Sequence, residues 1–211
     1  MYLPSHFEEK RTEMLHGLMR THPFGTLVTL SSGALNANHI PFELDAGDGP
    51  FGLLRAHVAR GNPVWKDHSD EVDALVVFQG AHSYISPSWY PGKEKDGRAV
   101  PTWNYMTVHA YGPLRVIEDK AWLRAQVERL SNRHEAGRAN PWKLGDAPAD
   151  YIEKMLGAII GIEIPITKCI GKWKVSQNQP EANRAGVQRG LLDAGDDNAV
   201  AMAQAVMEAV K

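Results

Sequence analysis

Half of the tryptophan and tyrosine side chains of this chain lie in one short stretch. The 211 residues include six tryptophans and six tyrosines, and positions 84 to 111 hold six of these twelve. They are Tyr84, Trp89, Tyr90, Trp103, Tyr105 and Tyr111, accompanied by the polar residues Ser86, Lys93, Arg98, Asn104 and His109. Large flat side chains with a polar edge suit a bound planar ligand or a partner surface. The same residues are also ordinary in strands that pack a core and a dimer interface.

A second candidate for chemistry is the turn His57-Val-Ala-Arg-Gly-Asn-Pro. A guanidinium at Arg60, a glycine and an amide at Asn62 follow one another there. Such a turn can present backbone N–H groups and an arginine fork to a phosphate. Taken alone, the turn fits a solvated surface loop at least as well.

A third candidate is the segment Gly171-Lys-Trp-Lys-Val-Ser-Gln-Asn-Gln-Pro. Strand spacing places Lys172 and Lys174 on one face, and Ser176, Gln177 and Asn178 follow as hydrogen-bonding side chains. By itself this segment also fits a strand edge that lysines protect against aggregation.

Hydrophobic periodicity and turn residues predict the elements that must position these groups. A capping box of Ser5 and Glu8 predicts a first helix that ends at the His22-Pro23 pair. The further predictions are strands over 24–30, 36–44, 51–55, 73–79, 84–85, 102–117 and 161–175, a short helical or irregular turn over 57–65, a polar loop over 91–98, and helices over 118–135, 151–160, 181–192 and 197–210. Many short strands with tight turns favour a barrel or sandwich over a parallel sheet. Without a linker or an internal repeat, the sequence predicts one domain over 1–211.

Composition and charge exclude several classes of protein. With 43% hydrophobic and 23% charged residues, the chain is typical of a globular protein. A net charge of -2 argues against a protein that depends on contacts with phosphate backbones. Cys169 is the single cysteine, so an intramolecular disulfide is excluded, and no close ligand spacing predicts a metal site. No signal peptide or long apolar run is visible, which favours the cytoplasm and no membrane association.

Taken together, the motifs are much more specific than they are singly. Tyr84-Ile-Ser-Pro-Ser-Trp-Tyr, Val100-Pro-Thr-Trp-Asn-Tyr and Val108-His-Ala-Tyr-Gly stand between the His57 turn and Lys174-Val-Ser-Gln-Asn. In this order they resemble the PaiB family, described as FMN-binding negative transcriptional regulators. The resemblance runs from Met1-Tyr-Leu-Pro to the C-terminal region. It departs at Gln79-Gly-Ala-His, where a Gly-Pro pair is usual, and at Val175, where leucine is common.

The resemblance implies a β-barrel with peripheral helices, an α+β fold of the FMN-binding split β-barrel, Greek-key type, similar to pyridoxamine phosphate oxidase. It implies an N-terminal helix, a C-terminal helical extension, and a homodimer with FMN at the subunit interface. By motif position the implied cofactor-binding residues are His57, Arg60, Asn62, Ser86, Trp103, Asn104, Lys174, Ser176 and Gln177. Arg60 would hold the phosphate, Trp103 and Tyr84 would flank the ring, and Lys174 would lie near its electron-rich edge. No catalytic residue is predicted.

The family points to a flavin- or redox-responsive regulatory protein. Two alternatives stay open: a flavin-dependent oxidoreductase acting on a small molecule, and a haem-handling variant, which nine histidines permit. The net charge, and the long loop with Pro141 and Pro148 between the two middle helices, argue against direct DNA binding. Any regulation is therefore expected to act through a protein partner or a metabolite.

Overall fold

The computed structural model describes residues 1–93 and 97–209. This part of the chain contains ten strands and five α-helices. The strands are β1 Glu8–Glu9, β2 Phe24–Ser31, β3 Ala34–Pro41, β4 Glu43–Asp45, β5 Leu53–Ala59, β6 Ala74–Ile85, β7 Thr102–Gly112, β8 Arg115–Ile117, β9 Ile159–Pro165 and β10 Lys168–Lys174. The helices are α1 Thr12–Thr21, α2 Lys120–Glu135, α3 Ala149–Gly157, α4 Glu181–Ala194 and α5 Asp197–Glu208. The predicted loop over 91–98 and helix over 197–210 include residues 94–96 and 210, which lie outside the described residues.

The contacts between residues divide the chain into two compact units. Unit 1 comprises Met1–Leu18, Gln79–Val108 and the chain from Ile170 onward, and unit 2 comprises Met19–Phe78 and His109–Cys169. Strands β6, β7 and β10 each begin in one unit and end in the other. The prediction of one domain over the whole chain stays a prediction.

The first sheet of unit 2 is built on a hairpin. Strands β2 and β3 pair antiparallel from Phe24 opposite Pro41 to Ser31 opposite Ala34. The turn between them uses Ser32 and Gly33, both with positive φ, which matches the twist of the two strands. Strand β2 pairs on its other side with the beginning of β6. Its burial alternates strictly, which confirms the strand predicted over 24–30.

The second sheet lies wholly within unit 2 and has the antiparallel order β4-β5-β9-β8. The single strand predicted over 36–44 is wrong, because the chain leaves the first sheet after Pro41 and enters this one at Glu43. Strand β5 continues through His57 to Ala59 and pairs with β9 along its whole length, so the short helical or irregular turn predicted from 57 begins too early; a short helical turn follows at Pro63–Trp65. Helix α3 ends at Gly157, so the helix predicted to Ile160 is too long.

Helix α2 confirms the helix predicted over 118–135. Asp119 caps its first turn by accepting a hydrogen bond from the Trp122 backbone N–H at 2.7 Å. Leu123 on this helix forms a small core with Leu144, Ile152 and Leu156. Gly161 on β9 lacks a side chain where the Trp122 ring lies against the strand.

Unit 1 contains the neighbouring strands β1, β10, β7 and β6, in that order. The predicted start of the first helix is wrong. Glu8 and Glu9 form a strand that pairs with Lys172 and Gly171, so α1 begins only at Thr12. The strands predicted over 102–117 and 161–175 each consist of two strands, because a proline or a tight turn interrupts the run.

The core of unit 1 lies beneath the two C-terminal helices. Ile85, Val187, Leu191, Met202 and Val206 are buried together there. Helix α4 approaches the turn at Trp89 closely, because Gly186 and Gly190 carry no side chain at the contact. In the described part of the chain, no helix is long and apolar enough to span a membrane.

Candidate functional site

The aromatic stretch forms a surface on one face of the unit 1 sheet. We call this the aromatic face and define it by His82, Tyr84, Trp103 and Tyr105. Alternation along β6 and β7 turns these side chains away from the buried residues Ala81, Ile85 and Asn104. The Trp103 ring is stacked with that of His82, with 6.0 Å between the centroids, and lies edge-on to Tyr84 at 6.2 Å.

Two rings of this surface are about half exposed. Trp103 is 49% exposed and Tyr84 is 47% exposed. Contiguous exposed aromatic side chains in a folded protein mark a site for a ligand or a partner. The aromatic face is therefore a candidate binding surface.

A buried lysine lies beside the aromatic face. The Lys172 ammonium lies 5.2 Å from the ring centroid of Tyr105 and 5.5 Å from that of Tyr2. It also donates a hydrogen bond to the Tyr2 carbonyl oxygen at 2.9 Å. These contacts compensate for the cost of burying a cation, and they hold positive charge at the edge of the face.

A cleft of about 460 Å³ lies in the same unit. We call it the basic cleft. The described residues that line it are Tyr90, Gly92, Lys93, Arg98, Ala99, Val100, Thr102, Asn104, Lys174, Ser176, Asn178, Gln179, Pro180 and Asn183. Lys93, Arg98 and Lys174 are the cations among these described lining residues.

Lys174 connects the basic cleft with the aromatic face. Its ammonium donates one hydrogen bond to the Thr102 hydroxyl and another, at 2.8 Å, to the Trp103 carbonyl oxygen. Burial, and then the charge of Lys172, lower the pKa of Lys174. Lys174, which lines the cleft, is thus hydrogen-bonded to the backbone of Trp103, whose ring lies on the aromatic face.

Asn104 and Ser176, two further predicted site residues, meet at the cleft. Both are buried, and the Asn104 amide donates to the Ser176 hydroxyl at 2.9 Å. Ser176 has a φ of 63°, in the left-handed region that non-glycine residues seldom adopt. Strained backbone of this kind concentrates at functional sites.

Gln177 and Ser86 instead shape the local backbone. The Gln177 amide donates to the carbonyl oxygens of His6 and Trp173 and accepts from the Val175 N–H. Ser86 accepts a hydrogen bond from the Ser88 N–H and caps the short turn that follows it. Their assignment to the cofactor stays a prediction.

The remaining three predicted residues, His57, Arg60 and Asn62, lie in unit 2. The Arg60 guanidinium donates to the Gly157 carbonyl oxygen and to the Glu118 carboxylate, each at 3.0 Å. Asn62 caps the turn at Val64 and donates to Asn38 at 2.8 Å. These contacts order the turn, and since arginine has five N–H donors, Arg60 retains capacity for a further acceptor. The predicted phosphate role stays a prediction.

His57 pairs with a buried glutamine on helix α2. The distance from His57 Nδ1 to Gln126 Oε1 is 2.9 Å, and Gln126 is fully buried. No described residue accepts a hydrogen bond from the Nε2 amino group of Gln126. Nothing in the sequence around Gln126 distinguishes this residue from the other polar residues of the helix.

Five residues of the basic cleft were not among the predicted cofactor-binding residues: Lys93, Arg98, Asn178, Gln179 and Asn183. The candidate segments had included all of them except Asn183, which nothing in the sequence distinguishes. The cleft itself depends on segments about 80 positions apart in the chain.

Cys169 is expected to react slowly. Burial raises the pKa of its thiol to about 11, so the nucleophilic thiolate is scarce near neutral pH. Labelling with Ellman's reagent at pH 7.5 should proceed far more slowly in the folded protein than in urea. Complete labelling of the folded protein within seconds would contradict this assignment of Cys169 as a structural residue.

Comparison with known families gives one match over most of the chain. The family model described as "Putative FMN-binding domain" matches residues 1–168. Strands β1 to β9 lie within the match. The last part of the chain, with Lys174 and the residues up to Asn183, follows it.

Two relatives match the chain over nearly its full length. An uncharacterised protein of Emericella nidulans is 36% identical, with 99% of this chain and 97% of that protein covered. The "Protease synthase and sporulation protein PAI 2" of Bacillus subtilis is 32% identical, with 100% of this chain and 99% of that protein covered.

Among solved structures, the FAD and haem binding protein of Mycobacterium smegmatis is similar. The TM-score is 0.58 at 20% identity, with 79% of this chain and 73% of that chain covered. At this identity the likeness shows the fold alone. The predicted α+β split-barrel fold is confirmed.

Proposed function

The chain belongs to the PaiB family of FMN-binding proteins and its cofactor is FMN, and from this premise we propose that it is a flavin-responsive regulatory protein. We propose further that it acts as a cytoplasmic homodimer and that the aromatic face of unit 1 receives the flavin ring. The observation that carries the proposal is the half-exposed Trp103 ring, held by His82 and Tyr84 beside a lysine-rich edge.

The residues of unit 1 fit this cofactor. The flavin ring is planar and apolar on both faces, and a rigid, exposed tryptophan offers a matching surface. Lys172 and Lys174 supply positive charge at the edge of that surface. FMN supplies oxidation–reduction chemistry when it is bound, and the protein sets its orientation and electrostatic environment.

Lys174 is the residue best suited to respond to the charge of the cofactor. Burial, and then the charge of Lys172, lower its pKa, because both disfavour the ammonium form. Negative charge nearby would stabilise the ammonium. The ammonium is already oriented by Thr102 and Trp103, so it would stabilise that charge without rearrangement.

Replacing Trp103 with alanine tests the placement of the ring. Stacking of a planar ring on an aromatic side chain contributes roughly 1–3 kcal/mol, so the variant should bind FMN about tenfold or more weakly. Quenching of FMN fluorescence during titration measures the affinity. Trp142→Ala is the matched control, because Trp142 lies in unit 2 and is 42% exposed. Equal FMN affinities of wild type, W103A and W142A would exclude the aromatic face as the ring site.

A regulatory protein binds its flavin without turning over a substrate, whereas a flavin-dependent enzyme turns one over steadily. We propose that regulation acts through a protein partner or a metabolite, because the net charge of -2 does not favour direct DNA binding. Tight, sequence-specific gel shifts with the purified protein would overturn this part of the proposal.

The alternative of a flavin-dependent oxidoreductase is favoured by the exposure of the aromatic face, which leaves room for a substrate. Steady NAD(P)H oxidation by the FMN-loaded protein would establish that alternative.

A further inference from the structure

We propose that Trp65 is a positioning residue that holds Arg60 for the phosphate of FMN, and that Lys66 is a second cation for the same phosphate. The turn thereby distinguishes FMN from riboflavin, which has the same ring but no phosphate. The inference rests on the proposed function and adds two residues that follow the motif ending at Pro63. All of the contacts that carry it lie in unit 2.

A short helical turn fixes the position of Trp65. The turn spans Pro63–Trp65 and follows Asn62, whose side-chain oxygen accepts a hydrogen bond from the Val64 N–H at 3.0 Å. Proline at its first position restricts the backbone, and the fully buried Val64 side chain anchors the turn in the core. Trp65 therefore belongs to a rigid segment.

Trp65 holds Arg60 by two contacts. Its indole N–H donates a hydrogen bond to the Arg60 carbonyl oxygen at 3.0 Å. The guanidinium carbon of Arg60 lies 5.9 Å from the centroid of the Trp65 ring, within the range of a cation–π contact. A ring in a fixed position limits the conformations of the arginine side chain, so less conformational entropy is lost when an anion binds.

The guanidinium is oriented but still has donors to offer. Its Nε group donates to the Gly157 carbonyl oxygen at 3.0 Å, and one terminal nitrogen donates to the Ile159 carbonyl oxygen at 3.5 Å. The other terminal nitrogen donates to the Glu118 carboxylate at 3.0 Å. These contacts use three of the five N–H donors of arginine, so two remain for a further acceptor.

The contact with Glu118 is one that a phosphate can replace. The Arg60 and Glu118 side chains are 41% and 60% exposed. An ion pair this exposed contributes little to stability, because water screens both charges. A phosphate carries more negative charge than a carboxylate and offers three strong acceptor oxygens. We therefore expect the phosphate of FMN to displace the Glu118 carboxylate from Arg60.

Lys66 brings a second cation to the same ring. Its ammonium lies 4.5 Å from the ring centroid of Trp65. Two cations beside one ring repel each other, and an anion bound near both of them removes this cost. Once Glu118 is displaced, Arg60 and Lys66 supply two positive charges for a phosphate group, which carries close to two negative charges near neutral pH. The charge of the pair thus matches the group that distinguishes FMN from riboflavin.

Titration of the full-length protein with FMN and with riboflavin tests the proposal. Quenching of flavin fluorescence gives the two dissociation constants, and the ratio of riboflavin to FMN reports recognition of the phosphate. We expect the wild type to bind FMN about tenfold more tightly or better, because charge-assisted hydrogen bonds are the strong ones. A change at the ring site leaves the ratio unaltered, since both flavins carry the same ring.

Three variants probe the proposed roles. Trp65→Leu removes both contacts with Arg60, and Lys66→Gln removes the second cation. Each should lower the ratio about threefold or more, by weakening the binding of FMN while that of riboflavin is unchanged. Trp65→Phe keeps a ring for the guanidinium but lacks the N–H donor, so its ratio should lie between those of the wild type and W65L.

The matched controls are Trp142→Leu and Lys10→Gln. Trp142 also lies in unit 2 and is 42% exposed, and the Lys10 side chain is 78% exposed and pairs with Glu8. Both controls should keep the ratio of the wild type. Near-ultraviolet circular dichroism verifies that each variant is folded.

Glu118→Gln should change the ratio in the opposite direction. The substitution removes the carboxylate that competes with the phosphate, so FMN should bind about threefold more tightly or better, with no gain for riboflavin. Loss of a contact that only stabilised the turn would give no such gain. An unchanged or lower ratio in the folded E118Q variant would overturn the assignment of Arg60 to the phosphate.

Two further results would overturn the proposal: equal affinities of the wild type for the two flavins, or the ratio of the wild type in the folded W65L and K66Q variants. Equal affinities would leave the proposed function intact, because binding of the flavin ring does not require the phosphate. Binding of neither flavin would contradict the proposed function and this inference together.

Discussion

Replacement of Gly186 by alanine is expected to destabilise the protein by about 2 kcal/mol or more, although alanine is the better helix former. A Cβ atom at Gly186 would lie 1.9 Å from the Trp89 carbonyl oxygen. That atom belongs to the backbone of the turn Pro87–Trp89, so either the turn or helix α4 must move. Urea denaturation measures the loss, and the melting temperature should fall by roughly 4–8 °C.

The control for this substitution is Gly17→Ala in helix α1. No atom lies within 4 Å of a Cβ built at Gly17, so only the backbone effect remains. We expect a gain of up to about 1 kcal/mol, opposite in sign to the effect at Gly186. Equal effects of the two substitutions would contradict the close packing of helix α4 on the turn.

Replacement of Arg55 by methionine is expected to cost about 2–3 kcal/mol, less than the loss of a fully buried ion pair. Arg55 lies between two carboxylates, with its guanidinium 2.8 Å from Asp45 and 3.3 Å from Glu163. Glu163 is directly opposite Arg55 on strand β9 and is only 16% exposed. Without Arg55 it keeps the Trp122 indole N–H as a partner but loses the opposing charge.

The destabilisation caused by R55M should depend on pH. A hydrogen bond from the Gly47 N–H, and then the contact with Arg55, lower the pKa of Asp45 in the folded protein. A lowered pKa contributes stability above the pKa of the unfolded chain, near 4, and this contribution is lost as the pH falls further. The difference between wild type and R55M should therefore narrow below about pH 4.

Arg115→Met is the matched control for Arg55. Arg115 is also opposite Glu163, on strand β8, but it is exposed. Its replacement should change the free energy of unfolding by less than about 0.5 kcal/mol. Urea denaturation of both variants between pH 3 and 7 checks the two expectations. An equal loss in R115M, or a pH-independent loss in R55M, would contradict the pairing described for Arg55.

Local patterns predicted those elements whose boundaries are marked in the sequence itself. Helix α2 begins after the capping residue Asp119, and strand β2 alternates between buried and half-exposed residues along its length. The first helix was predicted too early, because Glu8 and Glu9 pair with a strand more than 160 positions away. A capping box cannot reveal such a long-range partner.

The same limit explains the strands that were merged. The alternation of apolar residues continues from β3 into β4, although the two strands join different sheets. Only Pro41, which lacks an N–H group, marks the point where the chain changes sheet.

Three predicted site residues, Asn104, Lys174 and Ser176, line the basic cleft. Gln179 lies in the candidate segment from Gly171 but was not predicted as a site residue, and Asn183 belongs to no motif; Asn183 contacts both Gly92 and Gln179. Side-chain amides are common on protein surfaces, so their types alone could not identify them. What brings them together is the close approach of helix α4 to the turn at Trp89.

The division of the chain into two discontinuous units sets an order for folding during synthesis. Unit 2 ends at Cys169, so all of its residues are synthesised before helices α4 and α5. Unit 1 needs the residues from Ile170 onward to complete its sheet and core. Until these residues are synthesised, the segments Met1–Leu18 and Gln79–Val108 lack their packing partners. At a synthesis rate of about 5–20 residues per second, this delay lasts for several seconds. A release of the chain before helix α4 would leave the aromatic strands without their core, in a state prone to aggregation.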